Sequence, residues 1–477
     1  MDLTTETFHQ EEEQWYHQFL NIHYLASWKK NYKTGKEENI PSLEFTLSRK
    51  CNLKCTYCYY TRHGKELYPD PIDRVDPSIA NCEKILEYLT REKLAPSRIE
   101  IFGGEAVSRD QYKKLFDILY SYVLALPTRL KKRTSTSFSI VFPLNVIFLE
   151  DREYYDLLIQ EQKKFLEQNV VISYSISFDG KYCDPISRPA HSSTFEYSDA
   201  FYSLVSRFCK DLAIPAGFHP MISRDNVKYW KNNIDWFFDY IKDTYSVTSK
   251  DVNRFLYLLE VRNEDWSLEN VKDFYDFIVY IIDKIFEDPD ICNKDPDKLL
   301  EQIKTRLFNL SSGIFAYIPR GLTCSLQTCL YVRTGDLSII PCHRLSYPSF
   351  IAGKFEVQEE KLTGRVITEF PYMHLASVNT NFQTHADCSS CEIRSLCPGP
   401  CLGANYEATK DPFIASPAMC RMEKAKVFAI LESCKKYGIL DTLISHLKEY
   451  STGTFNEYRR FMLSKSMQVT LLTQSLE

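Results

Sequence analysis

No stretch of the 477 residues approaches the run of roughly 20 apolar side chains that a membrane-spanning helix needs. The first residues, with Glu11, Glu12 and Glu13, lack the basic start and apolar run of a secretory signal, so a cytoplasmic location is the expectation. Excess charge of either sign is small as well. The net charge is -5 and the pI about 6.1, which leaves no electrostatic footprint for nucleic acid. The basic spot from Arg129 to Arg133 reads as solvated loop. With no secretion signal, sixteen cysteines do not read as a disulfide framework; they argue for metal or redox work in a reducing compartment. Hydrophobic and aromatic shares of 44% and 14% describe a globular chain, long enough for two domains or one large domain with additions.

The cysteines fall in two groups. Cys51, Cys55 and Cys58 stand in CNLKCTYC, directly after the alternating Leu43, Phe45 and Leu47. Eight more lie between Cys324 and Cys420, while Cys82, Cys183, Cys209, Cys292 and Cys434 are scattered. Three thiolates in one loop can hold three irons of a [4Fe-4S] cube and leave the fourth iron without a protein ligand, whereas an ordinary ferredoxin closes its cube with four. A zinc knuckle is the alternative, although zinc prefers four ligands in paired C-x2-C units.

From Leu43 onward the pattern alternates strand and helix, with further strands expected at 99–102, 140–144, 170–178, 218–222 and 255–261. Asp76 is expected to cap a helix with Pro77 at its first position, and Ile79, Cys82, Leu86 and Leu89 share one face, which makes Cys82 a core residue. Repeated strand-helix units imply a parallel sheet, and six of them an incomplete (β/α)6 barrel whose functional groups sit at the C-terminal strand ends. Those ends carry the cysteine loop, Gly103-Gly104-Glu105, Asn145, Phe178-Asp179-Gly180 and Glu260. Residues 224–290 are longer and more aromatic than a minimal barrel needs. They include a helix over 267–286 with Val271, Phe274, Ile278, Ile281, Ile282 and Ile285 on one face, and a core stripe of Trp236, Phe237, Phe238 and Tyr240. Cys292 lies in a charged loop.

The second group runs Cys324-x4-Cys329-x12-Cys342, then Cys388-x2-Cys391-x5-Cys397-x3-Cys401, then Cys420. Eight cysteines suffice for two fully ligated clusters; zinc ions or a rubredoxin-like iron are the alternatives. The stretch between Cys329 and Cys342 alternates about Thr334-Gly335-Asp336 and reads as a hairpin. Beyond Cys420 a helix over 421–437 places Val427, Leu431 and Cys434 along one side and ends before Gly438. The expected organisation is a helical extension over 1–41, anchored by Trp15, Tyr16, Phe19 and Tyr24 and capping a barrel opening; a barrel over 42–305; a cysteine-rich domain over 306–425; and a helical tail over 426–477.

The loop CNLKCTYC, with Tyr57 in the aromatic position before its third cysteine, resembles the signature of the radical SAM superfamily. GGEA at 103–106 resembles the GGEP motif of that superfamily, with Ala106 in place of proline. SISFDGKYCDPISRP resembles the S-x-D-G segment of the branch that modifies peptides and proteins, and the cysteines from Cys324 to Cys420 resemble the SPASM domain. The resemblance implies an α/β fold: a partial TIM-like (β/α)6 barrel followed by a small SPASM domain binding two auxiliary iron-sulfur clusters. It implies three [4Fe-4S] clusters in all, one of them completed by S-adenosylmethionine (SAM) through its amino and carboxylate groups.

Carried over by position, Tyr57, Gly103, Gly104, Glu105, Ser177 and Asp179 would bind SAM or shape its site, and Arg188 would face a carboxylate. Asn145 would reach the ribose, although L-N-V stands where the family has T-N-G. By the crossed pattern of the family, Cys324, Cys329, Cys342 and Cys401 would hold the inner auxiliary cluster and Cys388, Cys391, Cys397 and Cys420 the outer one. The implied activity is reductive cleavage of SAM to a 5′-deoxyadenosyl radical that takes hydrogen from a residue of a ribosomally made peptide, installing a carbon-carbon, thioether or ether crosslink. Formylglycine formation in a sulfatase, peptide epimerisation with Cys183 as thiol donor, and a non-catalytic iron-sulfur electron carrier are the other readings. Asp179 and Cys183 are the candidates for chemistry beyond the cofactor. The implied partners are a precursor peptide, a separate peptide-recognition protein, and an electron donor such as flavodoxin or ferredoxin.

Overall fold

The computed structural model describes residues 42–60, 62, 75–91, 95–96, 98–105, 107–126, 131, 138–262, 264–288, 295–307, 310, 329–359, 361–367, 388, 390–393, 396–397, 401–412 and 414–450. The expected N-terminal extension, Ala106, Cys292, Cys324 and the tail past residue 450 lie outside them.

Strand and helix alternate as the hydrophobic pattern requires. β1 (Ser42–Thr46) leads to α1 (Val75–Arg91), β2 (Arg98–Phe102), α2 (Arg109–Ala125), β3 (Ser139–Leu144), α3 (Arg152–Glu167) and β4 (Val171–Ile176). A short α4 (Asp184–Ser187), α5 (Asp199–Asp211), β5 (Gly217–Phe218), β6 (Met221–Ile222), α6 (Trp230–Tyr245), β7 (Leu259–Glu260), α7 (Leu268–Glu287) and α8 (Pro296–Leu307) follow. Then come β8 (Cys329–Arg333), β9 (Ser338–Ile340), β10 (Gly353–Gln358), β11 (Lys361–Ile367), α9 (Leu402–Thr409), α10 (Pro417–Lys436) and α11 (Leu440–Tyr450). Capping boxes start α2 at Ser108 with Gln111 and α7 at Ser267 with Asn270, satisfying N–H groups that the first turn cannot pair itself. α1 begins at Val75, so Asp76 lies in its first turn, where a carboxylate meets the positive end of the helix dipole.

β1 to β5 form a parallel sheet in chain order. Strand five is interrupted: His219-Pro220 separates β5 from β6, and proline has no N–H to offer the ladder. β6 pairs with β7 in parallel, and a single parallel bridge, Phe218 to Leu256, links the region of β7 back to β5. The fourth and sixth strands are shorter than their apolar runs, ending at Ile176 and spanning only Leu259–Glu260.

The hairpin β8–β9 forms about Thr334-Gly335-Asp336 as its alternation predicts. Its placement is new: β8 runs parallel to β1 on the edge away from β2, in register from Ser42 with Cys329 to Thr46 with Arg333. β9, β10 and β11 extend the same sheet antiparallel, giving nine strands ordered β11-β10-β9-β8-β1-β2-β3-β4-β5. One face of β1 to β4 packs on helices, with Leu43, Phe45, Ile99, Ile101, Phe142, Tyr174 and Ile176 in one core with Cys82, Phe116, Leu158 and Phe208. On the other face of β3 and β4 alternate residues stay half-buried, so that face is an open lining. No helix among the described residues is long and apolar enough to cross a membrane.

Candidate active site

The cysteine loop leaves the C-terminal end of β1 and is pinned from two sides by backbone hydrogen bonds. On one side the N–H of Asn52 donates to the carbonyl of Glu105 at 3.1 Å. On the other, Lys54 N–H donates to Pro189 O at 2.7 Å, Thr56 N–H to Ser187 O at 2.8 Å, and His191 N–H to Asn52 O at 3.0 Å. Cys51, Cys55 and Cys58 are all half-buried. The Sγ of Cys51 receives the N–H of Leu53 at 3.5 Å and the Nδ2 of Asn145 at 3.7 Å. Burial pushes the Cys55 thiol up to about 12, against the pull of the Arg188 cation.

This donor set fits an iron-sulfur cube: soft sulfur ligands in a partly enclosed loop, with amide donors on sulfur of the kind that tune such clusters. Among the described residues no three His, Cys, Asp or Glu side chains converge closely enough for one metal ion. A cube asks for less convergence, because each thiolate binds its own iron.

The two glycines after β2 are required by close approach. Gly103 has φ +130°, and a Cβ on it would lie 2.4 Å from Ser48 O; a Cβ on Gly104 would lie 2.1 Å from Lys50 O. Gly104 N–H donates to Ser48 O at 2.5 Å. The GG pair thus lets the second strand's loop press on the segment that delivers Cys51. Glu105 accepts from the backbone N–H of Asn145 and, at 3.2 Å, from the Tyr112 hydroxyl, and burial raises its carboxyl to about 7. The Asn145 Nδ2 also donates to Asn52 Oδ1. Glu105 and Asn145 therefore brace the cysteine loop from the ends of β2 and β3.

Asp179 is wholly buried and fully engaged. Its Oδ1 accepts from the Tyr57 hydroxyl at 3.0 Å and from Met221 N–H at 2.8 Å, and its Oδ2 from the Ser187 hydroxyl at 2.6 Å. Arg188 Nη1 donates to the Tyr57 hydroxyl at 2.9 Å. Asp184 accepts the N–H groups of Asp179 and Gly180 at 2.7 and 3.0 Å and the Tyr202 hydroxyl at 2.9 Å. The structure thus places Asp179 as a tie between the strand-four loop and the cysteine loop. The carboxylates that Arg188 faces are the chain's own. Cys183 is wholly buried, its thiol 3.9 Å from the carbonyl of Asn226, and burial pushes it well above the ordinary thiol range. Ser177 is half-buried on the open face, its N–H bound to Leu144 O at 2.7 Å.

Apart from Ser177, the polar groups of this face are not singled out by the sequence motifs. Ser173, Ser175 and Ser177 form a stripe of short side chains along β4, a signal present in the S-Y-S-I-S alternation. His219 stands beside it, Nδ1 3.3 Å from the Ser175 hydroxyl and Nε2 with no hydrogen-bond partner. Burial lowers its pKa and favours the neutral ring. Arg62 binds Thr56 O at 2.9 Å and Glu264 at 2.7 Å, joining the end of the cysteine loop to the segment after β7. No local pattern announces pairs so far apart in sequence.

The second cysteine region meets the first. His343 stacks on Phe102 at 4.4 Å between ring centroids and hydrogen-bonds Glu44 at 3.2 Å. Cys58, Cys342 and Cys388 pack against one cluster built on Tyr60, Leu345, Tyr347, Phe350 and Leu402. Cys329 and Cys342 share another with Tyr331 and Ile340. A Cβ on Gly403 would lie 2.6 Å from the Arg344 Cβ, so the segments carrying Cys401 and Cys342 run in close contact. Cys388 and Cys391 lie within electrostatic reach of Cys420. Glu260 is buried against Lys426 at 3.2 Å and Arg262 at 2.9 Å. Against the cost of burial, these two cations hold its carboxyl down to about 2.

No family model matches the sequence. Over 418 residues, 83% of this chain and 75% of the relative, it is 23% identical to the radical SAM cyclopropyl synthase TigE of Paramaledivibacter caminithermalis. Among solved structures it is similar to anSMEcpe with bound AdoMet, at a TM-score of 0.53 and 17% identity, over 84% of this chain and 99% of that one. A tagged form of the same protein gives a TM-score of 0.52 at 16% identity, over 89% and 99%. At such identity the structural likeness is one of fold. With the three-cysteine loop at the end of β1, the chain is thus similar in sequence to a radical SAM enzyme and in fold to a protein that binds AdoMet.

Proposed function

We propose that the chain is a peptide-modifying radical SAM enzyme that closes a new bond, most simply carbon-carbon, within a ribosomally made peptide. The observation that carries this reading is the cysteine loop, held at the mouth of an open sheet face lined by the short side chains of Ser173, Ser175 and Ser177. Similarity to a cyclopropyl synthase favours ring or crosslink closure over the other outcomes of hydrogen abstraction. The peptide class rests on the resemblance of the strand-four segment to the branch that modifies peptides and proteins.

Cys51, Cys55 and Cys58 would hold the [4Fe-4S] cluster that, with SAM, supplies one-electron cleavage to methionine and a 5′-deoxyadenosyl radical. The chain's own residues hold this site in shape. Glu105 and Asn145 fix the loop from one side and residues 187–191 fix it from the other. The Asp179 tie keeps Tyr57 against the strand-four loop. Cys324, Cys329, Cys342 and Cys401 would form one auxiliary site and Cys388, Cys391, Cys397 and Cys420 another. The contact between Gly403 and Arg344 and the nearness of Cys420 to Cys388 and Cys391 support that partition. Four cysteines at each site favour electron transfer over substrate binding there.

The test is anaerobic reconstitution of the full chain with iron and sulfide, then dithionite and SAM, reading 5′-deoxyadenosine. Its formation is expected, and its absence from a cluster-loaded chain would sink the reading. Co-expression with a peptide encoded beside the gene should then give a product lighter by two hydrogens. Deuterium uptake without mass loss would instead mean epimerisation.

A further inference from the structure

The hydrogen bonds Lys54 N–H to Pro189 O and Thr56 N–H to Ser187 O bracket Cys55 on one strand of chain and Arg188 on the other. Residue 188 is therefore locked opposite residue 55. Arg188 is buried, 5% exposed. Its Nη1 is held by the Tyr57 hydroxyl at 2.9 Å, and its Nε lies 3.5 Å from Asp184 Oδ1 without forming a hydrogen bond. Asp179 and Asp184, whose oxygens accept from Tyr57, Ser187, Met221, Tyr202 and the N–H groups of Asp179 and Gly180, offset part of the Arg188 charge. The Leu53–Ala190 antiparallel bridge further along the same pairing makes residues 55 and 188 a non-hydrogen-bonded pair, whose side chains leave the backbone side by side on one face.

A fixed cation in a low-dielectric setting acts on a nearby change of charge far more than it would in water. Reduction of a cluster adds one electron and no proton, so the charge held by the Cys55 thiolate and its iron becomes more negative in that step. Iron-sulfur potentials respond to net charge and burial of this kind. We propose that Arg188 is a redox-tuning residue that raises the reduction potential of the cluster held by Cys51, Cys55 and Cys58. The inference rests on the reading of those cysteines as its ligands. The electron comes from a one-electron donor, a flavodoxin-class protein or dithionite, which is oxidised by one equivalent as the cluster is reduced.

The experiment is a potentiometric titration of the anaerobically reconstituted full chain, following the reduced-cluster electron paramagnetic resonance signal that changes on adding SAM. That response separates the open-iron cluster from any fully ligated one. At the ambient potential where the wild-type cluster is half reduced, Arg188→Gln should lower the ratio of reduced to oxidised cluster by at least about threefold. Arg188→Lys keeps the charge and should hold the ratio near wild type. Arg188→Met reports the same removal of charge where the Gln variant does not load a cluster. An unchanged ratio in the neutral variants, or an equal fall in Arg188→Lys, overturns the proposal, since the residue is then structural. Failure of the wild-type chain to form any SAM-responsive cluster overturns the ligand assignment itself.

Discussion

The Tyr57 hydroxyl donates to Asp179 Oδ1 at 3.0 Å, tying the cysteine loop to a loop 122 positions further along the chain. The same oxygen receives Arg188, so one phenol joins a buried acid to a buried cation. Tyr57→Phe leaves both without that partner and should cost about 1–3 kcal/mol of stability in urea unfolding. Asp179→Ala removes three accepted bonds beside Arg188 and should cost about 3–5 kcal/mol. Wild-type unfolding of Asp179→Ala would mean the tie does not form.

Glu105 supplies a pH dependence. Its folded carboxyl holds a proton up to about 7, while the unfolded group releases it near the ordinary 4.5. Between those values the unfolded chain binds fewer protons, so this group's contribution to stability is lost as pH rises through the window. Unfolding midpoints of the metal-free chain at pH 5 and pH 8 should therefore diverge more for wild type than for Glu105→Gln. Parallel behaviour of the two would contradict the placement of Glu105.

Gly104→Ala puts a methyl group 2.1 Å from the Lys50 carbonyl, a backbone atom that cannot swing aside. A loss of roughly 1–3 kcal/mol is expected, with a lower iron content on reconstitution because the displaced segment carries Cys51. Full iron loading of a stable variant would show that the loop tolerates separation from β2.

Arg333 is 1% exposed and grips Asp336 through two bonds of 2.9 and 2.6 Å, with a third to Ser346 O at 2.8 Å. Arg333→Ala leaves Asp336 with only its two bonds from Ser338 and takes the donor from Ser346 O, and should cost about 1–3 kcal/mol. The outcome is read by whether residues 342–346 become sensitive to limited proteolysis.

Cys183→Ala tests the thiol-donor reading. The group is buried and directed at a backbone carbonyl, so SAM cleavage and product should persist, with a stability loss of about 1 kcal/mol. Loss of product with intact SAM cleavage would return Cys183 to the chemistry.

The legible parts of this fold are those decided locally. Period-2 runs mark β1 to β4, and the residues at their ends mark the site, because a parallel sheet delivers its loops to one edge. Cys82, Leu86 and Leu89 are buried as their 3.6 spacing requires. What escapes is pairing at a distance. Alternation shows that 329–340 is a hairpin but not that its partner is β1, since edge pairing depends on which strand is left uncovered. In the same way the role of Asp179 depends on the donors of Tyr57, Ser187 and Met221, which meet only in the folded chain.

The pairing of β8 with β1 also bears on how the chain is made. Ser42 waits for Cys329, so for most of synthesis β1 has a neighbour on one side only. A nascent chain released before residue 329 presents a bare strand edge beside the loop of Cys51, Cys55 and Cys58, a template for joining other chains. Contacts of such long sequence separation also slow folding. Expression should therefore depend steeply on chain ends placed on either side of β8, with shorter products recovered as aggregate.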